Sequence, residues 1–431
     1  MKSWGSSVTL FSSFQWLFFI FANTVVVPIS IGAAFDLPTD VTEMTMRSSL
    51  VFTGIACVIQ GWKGHKYPIM EGHSGLLWGV MLNLGLSAPS IGLSYVEIGG
   101  GIATGLLAAG VVTMIISAFN LISYVQKIFT PMVMTVYLFL LTFQLIFVFF
   151  KGMLGITDAG EINIPVSFLS LGIVLLVSIL KIKGPRTISN FSILIGIIVG
   201  WIFYALLFPS TGAGSGSASA SFSLFPLGTP NLEFGIIAIA FFAGFLNLCN
   251  TFASIQAASE LLGEEASNNQ YRKSIFMTGG FTILSPLLGL VPYTPFTSSI
   301  GFLQSTQIYE RKPFLLGGML LTIIGLIPPF ISFLATMPIT VGNAVLFVAY
   351  LQLFGTAFNS VKGEYFTSDT IFRLAVPVLI GVSLMNVLPG AFANIPSLLQ
   401  PFLTNGLIMG VIISIVLEKA VNWKRFEQLQ N

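Results

Sequence analysis

The chain has 431 residues, of which 55% are hydrophobic and 8% charged, with a formal net charge of +2 and a mean hydropathy of +0.91. A soluble domain carries roughly 25% charged residues, so a mostly water-facing surface is excluded and lipid is the solvent for most of this chain. The small net charge, with basic residues scattered along loop ends, argues against nucleic acid as a partner.

A hydrocarbon layer about 30 Å thick needs roughly 20 apolar residues per helix, with shorter pieces allowed when protein surrounds them. Apolar runs between punctuation predict seven spans at roughly 13–35, 46–62, 71–86, 98–122, 131–150, 165–182 and 190–208. Seven more follow at roughly 234–258, 274–291, 292–305, 313–336, 339–358, 370–391 and 397–418. Fourteen spans place both termini on one side. With the N-terminus cytoplasmic, the cytoplasmic basic set is Lys2, Lys63, Lys66, Lys127, Lys181, Lys183, Arg186, Arg272, Lys273, Arg311, Lys312, Lys362, Arg373, Lys419, Lys424 and Arg425. Only Arg47 and Lys151 remain for the outside, the bias that the positive-inside rule requires. A miscount of one span would scramble the alternation downstream, so the bias tests the count as well as the orientation.

The first apolar run is too long for a cleaved signal peptide and reads as a span. It carries Gln15, then Asn23 two turns on, then Pro28, which face either a cavity or neighbouring helices. The third span is irregular. Pro68, Glu71, Gly72, His73, Ser74 and Gly75 crowd the entrance of a short apolar run. Pro removes a backbone donor and Gly costs about 1 kcal/mol in a helix, so a short extended stretch followed by a half-helix is predicted. Glu71 is the most pointed residue here, because carboxylates within the bilayer are costly and often relay protons or bind substrate. His73 titrates near neutral pH when unperturbed. Further along, Gly101 and Gly105 form a Gly-x-x-x-Gly pair that predicts close helix packing. The Gly/Ser/Ala stretch Ser210–Ser223 reads as a flexible external linker between two halves.

The eighth span opens the second half. Asn247, Asn250 or Thr251, and Ser254 recur at three- and four-residue spacing and share a helical face. Uncharged amides and hydroxyls suit the edge of a neutral heterocycle, with interhelical hydrogen bonding as the plainer reading. Glu260, Glu264 and Glu265 follow in what reads as a solvated loop. The tenth span repeats the irregularity of the third, with Pro292, Thr294, Pro295, Thr297, Ser298, Ser299 and Gly301 in ten residues. Each broken segment is the third span of a seven-span half, and an odd-numbered repeat inserts in opposite orientations. Paired interrupted segments at matching places in two halves point to a transporter's central site. Cys57 and Cys249 lie in apolar runs and read as packing residues, with no disulfide or metal framework.

These features resemble the nucleobase–cation symporter family, which includes the nucleobase/ascorbate transporters, and most closely its bacterial purine and uracil permease branch. The resemblance runs nearly end to end. It rests on Gln15 followed by Val25-Val-Val-Pro28, on Pro68 with Glu71-Gly-His-Ser-Gly75, on the polar middle of span eight, and on Ser298 to Gln307 after span ten. There are departures. Trp16 stands where the family often has His, Asn247 where proton-coupled members carry Glu, Ser298 where an acid or amide opens the signature, Ser299 at its Asn, and Gln307 at its last position. The family's usual acidic contacts to the base therefore do not carry over.

The resemblance implies an all-α polytopic fold of fourteen spans in two inverted seven-span repeats, with extended stretches in spans three and ten. It also implies a core domain, residues 1–125 and 233–337, working against a gate domain, residues 126–232 and 338–431. The expected function is import of a nucleobase by alternating access across the cytoplasmic membrane. Xanthine, hypoxanthine or urate is favoured and uracil is the lesser option. Gly75 and Ser298 would approach the base through backbone groups, Asn247 and Thr251 through side chains, with Ser74 and Ser299 alongside. Glu71 and His73 are the coupling candidates for a proton, sodium being the weaker option. A homodimer is the expected assembly, and no cofactor or metal is required. The rival readings are an anion transporter of the same architecture, a non-transporting nucleobase receptor and an intramembrane enzyme. No Lys or Arg sits at depth to hold an anion, the cytoplasmic loops are short for a signalling output, and no nucleophile–base constellation supports catalysis.

Overall fold

A computed structural model describes residues 7–156, 161–185, 188–189, 191–208, 223–351, 354–355, 357–358, 361, 367–387, 389–392, 394–396, 399–421 and 423. Lys2, Arg186, Lys362, Lys424 and Arg425 of the basic set, and residues 210–222 of the low-complexity stretch, lie outside them. The first half comprises α1 (Ser7–Thr24), α2 (Val26–Ala34), α3 (Thr39–Lys63), β1 (Glu71–His73), α4 (Gly75–Ile91), α5 (Tyr95–Ala118), α6 (Ile122–Gln126), α7 (Pro131–Met153), α8 (Ile164–Lys183) and α9 (Ser192–Leu207). The second comprises α10 (Phe234–Leu246), α11 (Leu248–Leu262), α12 (Asn268–Leu287), β2 (Tyr293–Pro295), α13 (Ser298–Thr306), α14 (Arg311–Gly325), α15 (Pro328–Ala335), α16 (Ile339–Tyr350), α17 (Ser368–Met385), α18 (Gln400–Leu403) and α19 (Gly406–Ala420).

Local chemistry sets many of these boundaries. Ser94 with Glu97, and Ser267 with Gln270, form capping boxes that open α5 and α12. Thr130 caps α7 and Pro131 occupies its first turn, where a missing N–H costs nothing.

The expected spans differ from the observed helices in informative places. Span one is two helices, α1 and α2, meeting at Val25; Pro28 cannot donate to the Thr24 carbonyl, which frees the turn there. Span eight is likewise divided, at Asn247. Span eleven is not a straight rod, because α14 and α15 meet at 90° where Pro328 and Pro329 start a new helix. Among the described residues, five stretches are long and apolar enough to cross a bilayer by themselves: Val8–Ala34, Tyr95–Ala118, Pro131–Met153, Ile164–Lys183 and Phe234–Leu262, with the bent pair a sixth. The other apolar helices are shorter, as protein-surrounded helices are free to be.

Helix packing falls into two groups. In one, α3 lies on α14, α1 on α14, and α5 on both α12 and α10. In the other, α7, α8, α9, α16, α17 and α19 pack among themselves. Small residues allow the closest crossings. A Cβ at Gly54 of α3 would clash with the Gly318 carbonyl of α14, and one at Gly110 of α5 would sit 2.8 Å from the Gly279 carbonyl of α12. Gly101 and Gly105 do pack closely, against Ile236, Ile237 and Ala240 of α10.

Candidate functional site

The two interrupted segments meet. β1 and β2 pair antiparallel, with Glu71 opposite Pro295, Gly72 opposite Thr294 and His73 opposite Tyr293. Ser74 N donates to Pro292 O at 2.7 Å, and Phe296 N donates to Met70 O at 2.8 Å, closing the ribbon at both ends. The half-helices α4 and α13 start directly after it.

A two-stranded ribbon inside an apolar bundle has two open edges, and each unpaired backbone group there is costly. The polar face of span eight covers one edge. Asn247 Nδ2 donates to Tyr293 O at 3.0 Å, and Ser254 Oγ to Pro295 O at 2.8 Å. Cys57 of α3 covers the other, donating from Sγ to Glu71 O and accepting from Glu71 N, both at 3.3 Å. Ser299 Oγ accepts from Met70 N at 2.9 Å, tying the start of α13 to the strand of the other half.

Side chains alternate across the ribbon, so Glu71, His73 and Tyr293 share one face while Gly72 and Thr294 turn to the other. On the first face the His73 and Tyr293 rings lie 4.7 Å apart. His73 Nδ1 is 2.8 Å from Val291 O, and a carbonyl only accepts, so Nδ1 carries the hydrogen. Nε2 therefore accepts from Ser49 Oγ at 2.6 Å. Tyr293 OH meets Thr53 Oγ1 at 3.0 Å.

A second gathering of polar groups lies where α4 and α11 approach α7 and α16. A Cβ at Gly75 would touch Tyr350 and Leu145 at 3.5 Å, and one at Gly79 would lie 3.2 Å from Gln144 Nε2. The Tyr137 hydroxyl is within electrostatic reach of Asn250 and Tyr350. Tyr137 OH, Gln144 Oε1 and Thr251 Oγ1 are all buried without a hydrogen-bond partner. Trp78, Phe149 and Tyr350 pack against one another at tilted and edge-on angles, with ring centroids 5.2 to 6.1 Å apart. Unpaired donors and acceptors in an aromatic setting can receive the edge of a flat, uncharged ring.

The expected site residues thus divide. Asn247, Ser299 and His73 spend their polar atoms holding the ribbon, and Ser74 caps α4 by accepting from Leu77 N at 3.4 Å. Gly75 faces the second gathering, Thr251 is buried on α11 with its hydroxyl unpartnered, and Glu71 is buried on β1. Ser298 is exposed at the start of α13. The sequence reading missed Tyr137, Gln144 and Tyr350, and it missed Ser49, Thr53 and Gln60. Tyr137 and Gln144 are seven residues apart in a strongly apolar run, a two-turn spacing that marks one polar face. Gln60 was the one amide in the apolar 46–62 run. Trp16, in place of the family's His, packs on Phe19, Phe302 and Phe314. Among the described residues no His/Cys/Asp/Glu group is arranged to hold a metal ion.

A family model described as the permease family matches residues 7–390. The chain belongs to the permease family. Membership makes it a multi-pass membrane transport protein rather than an enzyme. Among its permease relatives, YwdJ of Bacillus subtilis (strain 168), provisionally named a purine permease, is 30% identical over 95% of each chain. The uric acid transporter UacT of Escherichia coli (strain K12) is 23% identical over 95% of this chain and 85% of its own. The transmembrane domain of the cyanobacterial bicarbonate transporter BicA shares the permease's fold, with a TM-score of 0.61 at 14% identity over 95% of this chain and 96% of that one.

Proposed function

We propose that this permease imports a nucleobase across the cytoplasmic membrane, with a purine such as xanthine, hypoxanthine or urate preferred over uracil. The observation that carries this reading is the set of uncharged, buried, unpartnered groups (Tyr137 OH, Gln144 Oε1 and Thr251 Oγ1) in a bundle whose two interrupted segments pair as β1 and β2. The names of the relatives, purine and uric acid transporters, support the same substrate class. An anion would call for cationic side chains, and among the described residues no Lys or Arg is buried. That favours a neutral ring over the bicarbonate-type cargo of the structurally similar BicA.

Fourteen spans in two inverted seven-span repeats, with both termini cytoplasmic, are the proposed topology. The two packing groups support a core of residues 1–125 and 233–337 and a gate of residues 126–232 and 338–431. The base binds between them, with Gly75 and Thr251 on the core side and Tyr137, Gln144 and Tyr350 on the gate side. Asn247, Ser299 and Ser74 hold the ribbon that positions the base, and Ser298 meets it only as the domains move. Movement of core against gate, in a homodimer, gives alternating access, with a proton rather than sodium as the coupling ion and Glu71 and His73 as coupling candidates.

Uptake of radiolabelled xanthine, hypoxanthine, guanine, urate and uracil into cells lacking their own permeases tests the assignment. Saturable uptake of at least one purine, reduced by unlabelled competitor, is expected. Flat traces for every base, from protein present in the membrane, reject it.

A further inference from the structure

Among the described residues, Glu71 is the only Asp, Glu, Lys or Arg that the fold buries completely. Its side chain has no exposure, and its carboxyl meets Gln60 of α3, which in turn reaches α12. One oxygen, Oε1, meets Gln60 Nε2 at 3.3 Å, while Oε2 has no partner. The same Gln60 nitrogen lies 3.2 Å from Ser274 O and 3.3 Å from Thr278 Oγ1, so one amide is shared among three acceptors. Ser274 Oγ is also buried without a partner. The titratable groups facing Glu71 are His73 on its own strand, Cys57 on α3 and Tyr293 on β2; α12 presents only the hydroxyls of Ser274 and Thr278. None of these is a fixed cation, and no ion pair reaches Glu71 among the described residues.

A bare carboxylate in such surroundings is very unfavourable, whereas the neutral acid buries no charge and leaves only one uncharged O–H without an acceptor. We propose that the chamber behind the ribbon, formed by Glu71, Gln60, Ser274 and Thr278, is a proton-binding site in which Glu71 Oε2 carries the proton in this conformation. It is separate from the base site, which lies toward the gate helices. The bond formed is O–H on Oε2 and the bond broken is an O–H of hydronium, which leaves as water, when movement of the domains admits solvent. The site acts on transport through the strand. Gln60 and Cys57 both join α3 to Glu71, one at the carboxyl and one at the backbone, so losing the proton loosens β1 against α3 and α12. This deepens the coupling part of the proposed function; its infrared test uses no substrate, so its failure and the failure of the substrate assignment are distinguishable.

Infrared difference spectroscopy of the purified full-length protein in lipid nanodiscs, wild type against Glu71→Gln, reads the site directly. A carboxylic C=O stretching band at pH 7, shifted by deuterium exchange, absent from Glu71→Gln and lost as pH rises, is expected. Its persistence when sodium chloride replaces choline chloride is also expected. No Glu71-dependent band at any pH from 4 to 7 overturns the proposal, as does a band removed by sodium, which would make the chamber a cation site. Should Glu71→Gln not fold, Gln60→Leu provides the second reading. Loss of its amide moves the midpoint of the band to higher pH, and an unmoved midpoint overturns the proposal. Equilibrium binding of xanthine and urate separates the two sites. Glu71→Gln keeps binding within about threefold of wild type at low pH and loses its pH dependence; loss of binding at every pH places Glu71 in the base site and overturns the separation.

Discussion

Asn247 and Thr251 lie one turn apart, yet their polar atoms do different work. Asn247 Nδ2 bonds the Tyr293 carbonyl, whereas Thr251 Oγ1 is buried without a partner. Asn247→Leu strands that carbonyl, and the cost is about 1–3 kcal/mol. A lower melting temperature in detergent, together with loss of uptake, is the expected outcome. Thr251→Val keeps the shape and removes only the hydroxyl. Melting is expected to stay unchanged while the apparent substrate affinity falls about fivefold, the size of one hydrogen bond. His65, in the loop between α3 and β1, gives a pH signature of its own. Burial lowers its pKa from the usual 6.5 to about 3. The unfolded chain takes up a proton that the folded one refuses, so the stabilisation is complete above pH 6.5 and is lost as pH falls toward 3. His65→Asn is expected to flatten the fall in melting temperature between pH 6.5 and 4. A polar residue in an apolar run was legible in the sequence as meaningful at Asn247 and Thr251. Whether it held the scaffold or stood free was not, because that depends on which backbone carbonyl the fold brings within 3 Å.

Each broken helix has a different amount of local cause. Pro28 explains the joint at Val25, and Pro328 with Pro329 the right-angle turn between α14 and α15. Asn247 has no proline beside it, and its joint exists because β2 comes close enough to take the side chain. The two extended stretches were readable from Pro68, Gly72, Pro292 and Pro295, yet their pairing and register were not, since strand pairing between residues more than 200 apart leaves no local mark. The closest helix crossings rest on glycine. Gly54→Val forces α3 away from α14, and overpacking of this kind costs about 1–3 kcal/mol. A methyl group added at Gly172, on α8, would meet no atom within 4 Å, so Gly172→Ala is expected to stabilise by about 0.5–1 kcal/mol through helix propensity. Thermal unfolding in one detergent compares the two, and opposite shifts are expected. At the far end of the second packing group, Arg373 makes a bidentate pair with Glu418, whose Oε2 also accepts from Thr130 Oγ1 at 3.0 Å, joining α17, α19 and the start of α7.

The proposed topology has a direct test, because both native cysteines are buried and leave a quiet background. Single replacements Lys151→Cys and Lys312→Cys are treated with a membrane-impermeant maleimide in intact cells. Labelling of the first alone is expected, and labelling of the second from outside would refute the orientation. Composition, the spread of Lys and Arg and the Pro/Gly clusters were sufficient to determine the solvent, the approximate positions of the helices and the two interrupted segments of spans three and ten. These follow from local energetics, since an apolar run has to meet lipid or protein and a proline cannot donate wherever it lies. The pairing of β1 with β2, the commitment of Asn247 to the scaffold and the arrival of Tyr137, Gln144 and Tyr350 beside Gly75 were decided only by the tertiary structure. Each is a contact between distant segments, and its energy is realised only when the rest of the bundle has brought both partners into an environment without water.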